Sequence, residues 1–125
     1  MRSPLRIVTM LLGAFFAFQG LLWIFDPARA AAGLGMPLLD GLARSTQIGD
    51  LAAFFLTIGA TALVGSRPGR ARLLLVPAGV LASAALGRTL AWLMHDAAFA
   101  STFIGVELVS GALLLLAARR LDAAG

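Results

Sequence analysis

"AALGRTLAWLMHD", residues 84–96, is apolar or small at most positions, yet it holds Arg88 near its centre and a His95-Asp96 pair at its end. Apolar side chains surround Arg88 on every side of a helix drawn through this stretch. That is the pattern of a segment immersed in lipid, not of one with a single face on a soluble core. The rest of the chain agrees. Of its 125 residues, 60% are apolar and 13% charged, and the mean hydropathy is +0.94. A water-soluble domain of this length needs far more polar surface. The length suits one domain, taken as 1–125.

Charge and cysteine content narrow the function classes. All ten basic residues are arginines and the formal charge is +4. They stand between apolar runs, so they read as headgroup anchors and topology signals and not as a nucleic-acid surface. There is no cysteine, which excludes disulfides, thiolate nucleophiles and cysteine-ligated metals.

Crossing a bilayer takes about 20 apolar residues. Runs at roughly 5–25, 46–65, 73–94 and 99–118 meet that length. Backbone groups in lipid must bond within their own segment, so these are helices, and the expected fold is an all-α four-helix transmembrane bundle. A basic start followed by "ARA" at 28–30 resembles a cleavable leader. The apolar run is longer than the ~7–15 residues of a leader's core, so it is read as a span. Arg2, Arg6, Arg67, Arg70, Arg72, Arg119 and Arg120 fall on one side of a four-span chain, and only Arg29 and Arg44 on the other. The positive-inside rule then places both termini of this multi-pass chain in the cytoplasm.

The connections differ in kind. Residues 26–45 are apolar but punctuated by glycine and proline, and are expected to lie in the outer interface as a re-entrant turn or short helix. Trp23 and Trp92 are expected as interfacial anchors. The 66–70 turn is tight and basic. The connection at 96–98 is very short, which makes the third and fourth helices antiparallel neighbours.

Arg88 precedes Ala97 by nine residues and Glu107 follows it by ten, so the two share a depth on adjacent helices. Asp50 lies six residues beyond Arg44, roughly 7–9 Å deep from the same end. An arginine, a glutamate and an aspartate are therefore expected to converge in the outer half of the bilayer. A charge at the bilayer centre costs at least ~2.5–3.5 kcal/mol on insertion scales, and a guanidinium fork can relieve this by pairing with two carboxylates. The surplus negative charge calls for a proton on one carboxylate, or for Arg44, His95 or a ligand cation. Arg44 and His95 would guard the outer mouth. Thr46, Asp50, Thr57 and Thr61 share a helical spacing that can line a polar cleft or bond their own backbone. Gly13 with Ala17, and Gly79 with Ser83 and Gly87, form small-residue rows expected to pack against neighbouring helices.

Three functions fit these residues. The first is a binding or accessory module whose cluster is Arg88, Glu107, Asp50, Arg44, His95 and Asp96. The second is a proton-linked transporter or channel subunit that titrates Glu107 or Asp50 and works as an oligomer. The third is an enzyme using His95 and Asp96 as an acid–base pair. The cluster also suits a plain structural role, orienting helices within a membrane complex. No nucleophile elbow, phosphate loop or metal-ligand spacing accompanies them, so no catalytic or metal residue is assigned. The expected partners are the lipid bilayer, an amphiphilic ligand such as a bound lipid or quinone, and a second copy or larger membrane complex; no nucleic acid is expected.

Proline after the first span, "LARSTQIGD" at 42–50, "LGR" at 86–88, Asp96 ending the third span and Glu107 in the fourth resemble a family of small bacterial membrane proteins, the domain-of-unknown-function 4345 type. The resemblance runs over nearly the whole chain and implies a four-helix integral membrane fold. It supplies no catalytic residues. "HDAAF" at 95–99 departs from the glycine- and proline-rich turn the family leads one to expect. At the level of fold alone the layout also resembles DoxX-like proteins, some of them linked to quinone or sulfur redox chemistry.

Overall fold

A computed structural model describes residues 3–122. Five helices follow in order: α1 (Pro4–Phe25), α2 (Pro27–Gly33), α3 (Gly41–Gly65), α4 (Leu75–Met94) and α5 (Ser101–Arg120). A 3-10 turn, Ala71–Leu74, leads into α4. The described residues hold no strand. Four segments, α1, α3, α5 and the 3-10 turn with α4, are long and apolar enough to cross a membrane. The chain is an all-α, multi-pass membrane protein.

Local chemistry sets the helix ends. The Ser3 hydroxyl accepts from the Arg6 backbone N–H at 3.1 Å, and Pro4 opens α1. The Asp26 carboxylate caps α2 in the same way at Arg29 N–H (3.4 Å), with Pro27 in the first turn. Both pairs use a short acceptor at the cap and a proline where no N–H is needed. Pro77 sits in the first turn of α4, where its missing N–H breaks no ladder. Between Arg67 and Arg70, Gly69 takes a φ of 78° and the Arg70 N–H returns to Arg67 O at 3.1 Å. Pro-Gly at those positions is the pattern of a type II turn.

Two antiparallel pairs make the bundle. α1 packs chiefly on α3, and α4 on α5. In the first pair Gly13 lies against Leu63, Ala17 against Gly59, and Gly20 against Leu56. Each step along α1 is matched by an equal step back along α3, and the missing side chains let the backbones touch. The Gly13–Ala17 row thus packs as expected. The Gly79–Ser83–Gly87 row does not: all three are exposed, and nothing lies within 4 Å of a Cβ built on either glycine. α4 buries Ala78, Leu81 and Ala85 instead, and the small row is about half a turn away from them. Outward-facing Leu11, Phe18, Leu86, Leu93, Leu108 and Val109 are exposed, as lipid-facing side chains are.

Two expected features differ. α3 begins at Gly41, five residues before the expected edge, because the polar "GLARS" turn continues the helix outside the apolar run. Trp23 is no interfacial anchor. It is 1% exposed and shares the buried cluster with Ala30 and Ala31 of α2. The segment after α1 folds back as α2 and covers the indole. The 26–45 connection is thus a short helix and a loop.

Candidate functional site

The two helix pairs do not close on each other along their whole length. At the end that carries the termini they are tied together. The Asp122 carboxylate accepts from the backbone N–H of Gly69 (3.0 Å) and Ala71 (2.8 Å), and Arg6 approaches it at 3.8 Å. The Arg6 guanidinium also donates to Ser66 O. The start of α1, the α3–α4 turn and the end of α5 therefore meet at one carboxylate. The Ala71 and Gly69 N–H bonds, aided by Arg6, hold the Asp122 carboxyl below its ordinary range against a smaller opposing effect of desolvation. Sequence reasoning missed Asp122. It stands beyond the last apolar run, and its only signal is that it follows a helix end facing a glycine turn.

Toward the other end the pairs part around a cavity of about 350 Å³. Phe15, Phe16 and Gln19 of α1, Leu51, Phe54 and Phe55 of α3, Leu81 and Arg88 of α4, and Thr102, Phe103, Val106 and Glu107 of α5 line it, with Gly33 and Leu34 at the end of α2. The walls are mostly apolar, and five of the fourteen lining residues are phenylalanines. Phe16 and Phe55 stack at 6.1 Å, and Phe54 meets Phe55 edge-on at 5.0 Å.

Arg88 and Glu107 pair on this wall. Arg88 Nε donates to both Glu107 carboxylate oxygens, each at 3.1 Å. Glu107 is 7% exposed, and the Arg88 side chain 35%. Arg88 Cζ lies 4.8 Å from the centre of the Phe103 ring, a cation–π distance. Phe103 precedes Glu107 by four residues, so both stand on one face of α5. Glu107 also borders a shallow groove on the outside of the α4–α5 pair, with Gly79, Ala82 and Gly111 among its walls. The ion pair stands at the seam between cavity and groove.

The other expected members of the cluster lie elsewhere. Asp50 is exposed, makes no ion pair or side-chain hydrogen bond among the described residues, and lines a separate groove with Leu39, Leu42 and Thr46. α3 buries Gln47, Ala52, Phe55, Ile58, Gly59 and Ala62. Asp50 lies about a third of a turn off the centre of that stripe. The three-way cluster is thus a pair, and no surplus carboxylate meets Arg88. Arg44 donates to Leu39 O (2.6 Å) and pairs with Asp40 (3.2 Å) on the surface. His95 and Asp96 are exposed in the α4–α5 turn, with no hydrogen bond between their side chains. Asp96 has a φ of 55° there, a turn-making conformation that aspartate tolerates better than most residues. The threonine stripe does not line the cavity: Thr61 bonds Thr57 O on its own helix, and Thr46 lies beside Asp50.

Gln47 carries a role the sequence reading did not assign. Buried, it accepts from Leu39 N–H (2.9 Å) and donates to Pro37 O (3.0 Å) and Met36 Sδ (3.1 Å). It holds the 34–40 loop against α3 and so steadies Gly33 and Leu34 at the cavity rim. A polar residue in register with an apolar stripe was the available signal.

Among the described residues no three His, Asp or Glu side chains converge as a metal site. What the cavity can do chemically is hold a guest between aromatic walls beside one guanidinium. Compared with known proteins, the chain matches no curated protein and no solved structure. Residues 4–118 match the family described as a domain of unknown function, DUF4345, and the chain belongs to that family.

Proposed function

We propose that this chain is a small binding module of the bacterial inner membrane, which holds an amphiphile of the lipid or quinone kind in the cavity between its helix pairs. The observation that carries the reading is the placement of the Arg88–Glu107 pair on the wall of a phenylalanine-lined cavity. Small-molecule sites combine apolar walls with a few placed polar groups, and ionisable groups within a membrane mark such places. A pair that only clamped two helices would need no space beside it.

Charge supports the orientation. Arg67, Arg70, Arg72, Arg119 and Arg120 are exposed at the end holding the termini, without ion-pair partners among the described residues. At the other end Arg29 and Arg44 are matched by Asp26 and Asp40. Excess free arginine marks the cytoplasmic side, so the cavity faces the outer leaflet.

Gly33 tests the reading without touching the ion pair. It lies exposed at the cavity rim, and a Cβ there meets nothing within 4 Å. Native mass spectrometry of protein released from lipid discs should find a retained small molecule on the wild type, and much less on Gly33→Trp. Equal occupancy in both, or none in the wild type, overturns the proposal.

A further inference from the structure

We infer that the head of the bound amphiphile is a neutral, planar ring bearing a carbonyl oxygen. The inference rests on the binding reading above and specifies its ligand class. Arg88 spends Nε on Glu107, and its two terminal amino groups have no partner among the described residues. They carry four N–H donors. Gln19 also lines the cavity, and its amide has no protein partner among those residues. The site offers more donors than acceptors, so the guest supplies acceptors.

Charge then separates two kinds of acceptor. Glu107 already balances Arg88, and the pair is neutral as a unit. A carboxylate or phosphate guest would bring a second negative charge beside Glu107, in surroundings where like charges repel strongly. A carbonyl oxygen accepts from the free guanidinium N–H groups without that repulsion. Shape adds the ring. Phe16 and Phe55 are buried and stack on each other, whereas Phe15 and Phe54 of the cavity wall keep part of their ring surface open, and a flat guest can stack on such faces.

The test compares probes with one tail and three heads. Decyl-p-benzoquinone is the neutral ring carbonyl, decanoate the anion, and decylbenzene the ring without an acceptor. Binding to purified full-length protein is measured by calorimetry in one detergent. The ring carbonyl should bind roughly tenfold or more tighter than either rival, as a hydrogen bond to a charged donor allows. Gln19→Leu, which leaves the ion pair intact, should weaken the ring carbonyl severalfold without weakening decylbenzene. Tighter binding of decanoate overturns the neutral head in favour of an anion site. Equal binding of all three also overturns it while leaving the cavity a binding site. No binding of any probe, together with an empty wild-type spectrum, removes both this inference and the binding reading.

Discussion

Arg88 would be expensive to place in lipid alone, and its local geometry explains why the sequence can keep it. One side of the guanidinium is bonded to a buried carboxylate and its carbon lies over an aromatic ring. Removing the arginine strands Glu107. Breaking a buried pair from one side costs ~3–5 kcal/mol, and the partial exposure of Arg88 puts this case toward the lower end. Arg88→Ala should therefore lower thermal stability in detergent far more than Arg67→Ala, whose surface change stays within about 0.5 kcal/mol. Equal melting of the two variants would refute the pair. This pairing was legible in the sequence because a short turn fixes depth on both of its flanking helices. Asp50 was not legible in the same way. Counting from a helix start gives depth alone, whereas the direction a side chain takes around the helix depends on which stripe its neighbours bury. The aromatic walls were hidden for the same reason, since Phe16, Phe55 and Phe103 come from three helices whose mutual rotation no single segment records.

Helices α1 and α3 meet through absent side chains, and α4 keeps its small row unused. A methyl at Gly59 would fall on the backbone of Ala17, so Gly59→Ala should force the pair apart and cost ~1–3 kcal/mol or more. The same change at Gly79 meets nothing and should be neutral or stabilise by roughly 0.5–1 kcal/mol, as alanine is the better helix former. Melting temperatures of the two variants in one detergent decide it; similar destabilisation by both would place a packing partner on the α4 row. At the tied end of the bundle, Asp122 links three elements as a carboxylate. Its folded pKa is depressed, so its contribution is complete above the ordinary aspartate value of about 3.9 and is lost as pH falls through the lowered folded value. Acidification below about pH 4 should cost the wild type more stability than Asp122→Asn. Parallel acid profiles would show that the knot adds nothing. Sequence revealed the spans, their number and the tight basic turn, because length and hydropathy decide these. It did not reveal the knot, which joins residues far apart in the chain through backbone N–H groups.

The whole molecule is polarised. One end is fastened by Asp122 and carries arginines without ion-pair partners among the described residues, while the other parts around the cavity and matches its arginines with aspartates. Reporter fusions after Gly69 and Gly125 should both behave as cytoplasmic, and one within 34–40 as periplasmic; a periplasmic signal from either of the first two would invert the orientation. One contact stands at the centre of this asymmetry, and the sequence allows it to be isolated. Glu107 is the chain's sole glutamate. Protein labelled with carboxyl-¹³C glutamate and ¹⁵N arginine, held in lipid bilayers, therefore reports by solid-state dipolar recoupling only on arginine nitrogens beside Glu107. A strong coupling from an Nε nitrogen is expected, matching the 3.1 Å approach to both carboxylate oxygens, and it should disappear in Arg88→Met. No coupling in the wild type, or one that survives Arg88→Met, would contradict the pairing.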